Sequence, residues 1–95
     1  MLQRLLLIYY YCIIYLDKAT SPANRDEDWE YIMAFCDQVN KEIEGAQIAV
    51  KLLAHKIQSP QERESLYALT VSNLILEYYN NRLHRKVQTT FLLIV

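Results

Sequence analysis

The stretch Leu52–Val71, LLAHKIQSPQERESLYALTV, decides how the chain folds. It contains the end of one helix, a turn, and the opening turns of another. Ser59 offers a hydroxyl that can accept from a backbone N–H two or three residues on. Pro60 suits the first helical position, where its missing N–H costs nothing. Glu62, three residues after Ser59, is placed to reach back and complete a capping box.

Outward from this junction, composition points the same way. Ninety-five residues make one domain or part of one. A hydrophobic share of 53% is ample for a core, while one Gly and two Pro leave too little turn chemistry for a many-stranded β fold. The expected class is all-α. A net charge of −1 creates no global field drawing the chain to nucleic acid or to acidic lipid. Cys12 and Cys36 are too few and too far apart for a disulfide framework or a zinc site, and are expected to be reduced thiols packed as small apolar groups.

The N-terminus, MLQRLLLIYYYCIIYL, is apolar or aromatic at every position from Leu5 to Leu16. As a helix, that run would rise only about 18 Å against a hydrocarbon core of roughly 30 Å, so it cannot span a bilayer comfortably. Three readings stand: a buried first helix, a secretory signal or interfacial anchor following Arg4, or a segment not native to the domain. The second would make the chain a secreted or membrane-tethered small helical protein; a further alternative is a truncated product without independent function.

Thr20-Ser21-Pro22 ends that segment, because Pro22 pushes Ser21 out of the α region. Asn24 or Asp26 is expected to cap a second helix. Trp29, Ile32, Cys36, Val39 and Ile43 then recur at spacings of three and four, forming one apolar stripe. Gly45 is the expected stop. A third helix runs from about Ala46 to Ile57, with Ile48, Ala49, Leu52, Leu53 and Ile57 covering a face broad enough for two neighbours. The fourth runs from Pro60 to about Tyr79. Leu66, Leu69, Val71, Leu74, Ile75, Leu76, Tyr78 and Tyr79 surround most of its circumference, which marks it as central. Thr70, Ser72 and Asn73 would need partners if buried. Asn80-Asn81 can close that helix; a basic patch at Arg82–Lys86 and an apolar end at Phe91–Val95 follow.

No catalytic constellation is present. His55 and His84 have no Cys or carboxylate at metal-ligand spacing, and no HExxH, GxSxG or glycine-rich phosphate loop occurs. Glu62 and Glu64, two apart, point to different sides of a helix. Neither an enzyme nor a cofactor is expected, and the 82–86 patch reads as a solvated face.

At LDKATSPANRDEDWEYIMAFCDQVNKEIEG and AQIAVKLLAHKIQSPQERESLYALTV, the chain resembles the VHS domain of the Golgi-localised, gamma-ear-containing, ARF-binding clathrin adaptors. The likeness runs from about Leu16 to Val71 and weakly on to Val87. LLAHKIQSPQE is close to diagnostic of that subfamily, and ATSP with the later DW marks VHS domains broadly. The resemblance implies a right-handed α-superhelix of eight helices, of which this chain carries the first four to five. It divides the chain into an apolar segment at 1–15 and a partial VHS domain at 16–95. It also implies a cytoplasmic, peripheral adaptor that sorts receptors from the trans-Golgi network to endosomes and binds acidic-dileucine signals in their cytoplasmic tails.

Residues 1–14 depart from the family's short polar N-terminus, and SNLILEYYNN at Ser72–Asn81 replaces a stretch richer in Cys and Gly. The family's cargo groove lies between its sixth and eighth helices. Its basic-aromatic Lys-Phe-Arg-Phe run falls at Gln88–Leu92, where this chain has QTTFL; at most Phe91 survives. With the eighth helix absent too, the resemblance implies a domain without its cargo site. In related sorting proteins the exposed Trp of the DW motif and a residue one turn on bind ubiquitin, and those positions match Trp29 and Met33. Ubiquitin and phosphoinositide headgroups are therefore the expected partners. The competing reading of Trp29 is the first core residue of its stripe.

Overall fold

A computed structural model of the chain describes residues 2–41 and 43–78. They form four helices: α1 Leu2–Ala19, α2 Trp29–Asn40, α3 Gly45–Ile57 and α4 Glu62–Tyr78. Every regular element among the described residues is helical, as composition implies.

The unbroken apolar run at the N-terminus forms most of α1, and only one side of it is core. Ile8, Cys12, Leu16 and Ala19, spaced four, four and three apart, are buried. That spacing is a single helical stripe. Leu6, Leu7, Tyr9, Tyr10 and Tyr11 are exposed. No described helix is long and apolar enough to cross a membrane. At the end of α1, the buried Thr20 donates both its backbone N–H and its hydroxyl to the Leu16 carbonyl, at 2.9 and 2.7 Å. The second bond gives the buried hydroxyl a partner on a carbonyl that the backbone N–H already engages.

The connection to α2 is tied down rather than loose. Asn24 donates through its side chain to the Lys18 carbonyl at 2.8 Å, and its own carbonyl accepts from the Tyr67 hydroxyl at 2.8 Å. The Arg63 guanidinium reaches the carbonyls of Pro22 and Arg25, each at 3.4 Å. Neither Asn24 nor Asp26 caps α2. The N-cap is Asp28, whose carboxylate accepts from the Tyr31 N–H at 3.4 Å. Asn24 is instead spent on the end of α1, which leaves the cap to the last acidic residue before Trp29.

On α2 the stripe is shorter than its periodicity suggests. Ile32, Phe35, Cys36 and Val39 are buried, but Trp29 and Ile43 are exposed. The helix ends at Asn40, so the phase that would carry Ile43 inward is lost. Gly45 is not the stop but the first residue of α3, and it is buried. A Cβ there would overlap the Val39 carbonyl oxygen, so only glycine lets the start of α3 lie this close to the end of α2.

α3 is the middle of the assembly, packing against α1, α2 and α4. Ile48, Ala49 and Leu53 are buried, with Leu52 and Ile57 half-buried against the core. The junction that follows differs in detail from the capping box. Ser59 does accept from the N–H two residues on, Gln61, at 3.1 Å. Its own N–H, however, donates to the Lys56 carbonyl at 3.1 Å, so Glu62 has no donor there to reach back to. The helix begins at Glu62, two residues after Pro60.

Not all of the apolar circumference of α4 is buried among the described side chains. Tyr67, Ala68, Val71 and Ile75 are buried, while Leu66 and Leu69 lie exposed on another flank. The polar residues find local partners. Ser72, buried, donates to the Ala68 carbonyl at 2.8 Å, and Thr70 to that of Leu66 at 3.3 Å. Such back-bonding satisfies a hydroxyl inside a helix. Residues from all four helices meet in one core that includes Leu16, Phe35, Leu53 and Ile75. The helix end expected at Asn80-Asn81, the basic patch with His84, and Gln88–Leu92 with Phe91 lie outside the described residues.

Candidate functional site

Trp29 is the first residue of α2 and Met33 lies four residues on, so they share one flank. Their exposures, 52% for Trp29 and 46% for Met33, are large for apolar side chains on a helix whose other face is fully buried. Ile32, Cys36 and Val39 hold that buried face against the core and aim the pair outward. The entrance of α2 is fixed from both sides: by the Asp28 cap, and by the Arg63 and Tyr67 ties from α4 to the preceding loop. The carboxylates of Glu30 and Asp37 are exposed on the same helix. An apolar pair beside acidic groups suits a partner with an apolar centre and basic surroundings.

A second concavity lies between α1 and α3. It has a volume of about 410 Å³ and is walled by Tyr9, Ile13 and Leu16 on one side and by Lys51, Leu52 and His55 on the other. At its end Asp17, Lys56 and Glu64 form a clasp across α1, α3 and α4. The Lys56 ammonium sits 2.7 Å from Asp17 and 3.4 Å from Glu64. Burial pulls the Lys56 pKa down, but the Asp17 hydrogen bond and the two carboxylate charges outweigh it, and the net shift is upward. Glu64 is thus an ion-pair residue rather than half of an acid/base pair. Sequence patterning shows none of this, since Asp17 and Lys56 lie far apart in the chain.

Cys12 and Cys36 are both buried. Burial pushes the Cys12 thiol up to about 11, which keeps it neutral and unreactive at physiological pH. His55 is exposed on α3. Among the described residues no group of His, Cys, Asp and Glu is placed to hold a metal ion.

Among the described residues, four helices share one core and leave Trp29 and Met33 exposed on one flank, which defines a helical domain. The chain belongs to the VHS domain family, whose model matches residues 12–93. The match begins inside α1 and covers the other three helices. Among similar proteins is the ADP-ribosylation factor-binding protein GGA3 of Mus musculus, 63% identical over 73 residues, which are 77% of this chain and 10% of that protein. The ADP-ribosylation factor-binding protein GGA2 of the same species is 47% identical over 74 residues, 78% of this chain and 12% of the relative. The class E vacuolar protein-sorting machinery protein hse1 of Emericella nidulans is 33% identical over 70 residues, 74% and 12% of the two chains. The chain therefore spans about a tenth of the length of the relatives it matches.

Proposed function

We infer that this chain is a protein-interaction module of a sorting adaptor, acting on the cytoplasmic face of trans-Golgi network and endosomal membranes with clathrin. Ubiquitin is the partner we assign to it. The observation that carries the assignment is the shared exposure of Trp29 and Met33 on one flank of α2. Family membership supports the trafficking role, and the names of its relatives, ADP-ribosylation factor binding and vacuolar protein sorting, agree with it. Phosphoinositide headgroups are the second partner class. Acidic-dileucine tails are not a ligand in this reading, because Gln88–Leu92 carries no basic residue.

Two side chains over a small area give weak binding, with a Kd on the order of 0.1–1 mM, or about 4–5.5 kcal/mol. Titrating isotopically labelled protein with ubiquitin shifts the Trp29 indole resonance, and Trp29→Ala abolishes saturable binding without unfolding the chain. An indole unmoved at millimolar ubiquitin sinks the assignment. In the same spectra an acidic-dileucine peptide leaves all resonances in place; a saturable response would show that a cargo site survives.

A further inference from the structure

The face of α1 turned away from the core is apolar, and neither the ubiquitin reading nor the core explains it. Leu6 is 62% exposed, Leu7 53% and Tyr10 59%. Ile13 and Ile14 continue the strip half-buried, with Gln3 before it and Asp17 after it. Contiguous exposed apolar surface of this kind marks an interaction site. We propose that α1 lies in the plane of an anionic membrane surface, with Leu6, Leu7 and Tyr10 inserted at the headgroup boundary and Lys51 and His55 facing the lipid phosphates. The proposal rests on the reading of the chain as a peripheral membrane module, and adds the surface and the mode of contact.

Three observations select a lipid surface as the occupant. First, an 18-residue helix with no charge from Leu5 to Leu16 is apolar enough to partition, yet no described helix is long and apolar enough to cross a bilayer. It can therefore lie along a membrane but not span it. Second, Tyr10 lies in the strip, with the exposed Tyr9 and Tyr11 on its two flanks; a tyrosine ring is apolar and its hydroxyl wants water, the combination favoured at headgroup depth. Third, charge is complementary. The groove beside the strip is walled by Tyr9 and Ile13 from α1, and by Lys51 and His55, one turn apart on the exposed side of α3. Asp17, the acidic residue at this edge, is already paired with Lys56 at 2.7 Å, so it does not cancel the Lys51 charge. Basic residues next to an apolar strip are what an anionic bilayer attracts.

Vesicle flotation of the full chain tests this, using phosphatidylcholine alone, phosphatidylcholine with phosphatidylserine, and phosphatidylcholine with a phosphoinositide. The wild type floats with both anionic compositions and weakly with phosphatidylcholine. Leu6→Glu combined with Tyr10→Glu lowers binding at least about tenfold, since each variant residue must leave the apolar layer or carry its charge into it. Lys51→Glu lowers it about fivefold on anionic vesicles only. The substituted side chains are exposed, so helical content and ubiquitin response stay unchanged, and Leu6→Ser with Tyr10→Ser repeats the loss without added charge. A double variant that floats like wild type overturns the role of α1 while leaving a peripheral module intact. A wild type that floats with no composition overturns both. If sedimentation shows a dimer that the double variant converts to monomer, with no flotation of either, the strip binds a second copy and the proposal fails.

Discussion

Gly45 is the one glycine of the chain, and it stands where the start of α3 lies against the Val39 backbone near the end of α2. Its backbone is not left-handed, so conformational freedom is not what it supplies. Space is. Alanine would ordinarily favour a helix start by about 1 kcal/mol over glycine. Here the added methyl meets backbone rather than a flexible side chain, and the α2–α3 junction must open. Gly45→Ala is expected to destabilise by about 1–3 kcal/mol, lowering the thermal midpoint by roughly 5–15 °C. Circular dichroism melting checks this; a raised midpoint would mean that helix propensity outweighs the overlap. Sequence patterning reads the same glycine as a helix stop, a sound expectation where nothing is known of the chain packed against it. Asp28 shows the matching limit. In Asn24–Asp28 several side chains can cap, and the choice is made by contacts with Lys18, Arg63 and Tyr67 that local sequence does not encode. Periodicity likewise puts Trp29 and Met33 on one flank, but Trp29 is outside the core because it opens the helix, a matter of where neighbours end.

At the scale of elements, the existence and order of the helices were legible because each carries its own stripe. The ties between them were not. α1 contributes Ile8, Cys12, Leu16 and Ala19 to the core and a flank of rings to its neighbour. Tyr11 stacks on Tyr15 at 6.1 Å, Tyr15 approaches Tyr31 of α2 at 6.5 Å, and Lys18 lies 5.1 Å over the Tyr31 ring. The clasp at Lys56 joins α3 to α1 and α4 at once. Its Lys56 and Glu64 side chains are 17% and 21% exposed, between the surface pairs that contribute little and the buried pairs whose rupture is costly. Lys56→Met keeps the packed stem and removes the charge, and is expected to cost about 1–2 kcal/mol in urea unfolding. Asp17→Asn should cost less, because Asp17 keeps 55% of its surface in water. The raised Lys56 pKa sets the pH sense of this contribution. It is fully present below the ordinary lysine value of 10.5 and is lost as pH rises through the folded value. A Lys56→Met variant as stable as wild type at neutral pH would show that the clasp orders the helices without holding them.

For the whole molecule, the decisive fact is that one core draws on all four helices, with Leu16, Phe35, Leu53 and Ile75 each fully or almost fully buried. No helix can leave without uncovering its neighbours, so the described part should unfold as a unit. The cysteines report on this from two helices, since Cys12 of α1 and Cys36 of α2 are both buried. In native buffer neither thiol should react with a bulky disulfide reagent over minutes. Across a urea series, labelling of both should follow one midpoint, shared with the loss of far-ultraviolet dichroism. Cys12 labelled at lower urea than Cys36 would show α1 detaching first, and a single cooperative core would be wrong. The same thiol adds a pH signature. Burial raises Cys12 from 9.0 to about 11, so above pH 9 the unfolded chain loses its proton while the folded chain keeps it. Stability therefore falls as pH rises between about 9 and 11, and is unaffected by this group below that window. Cys12→Ala, though less stable at neutral pH, should lose less stability over the same interval. Equal alkaline slopes in the two proteins would place the Cys12 thiol in contact with solvent rather than inside the packed core.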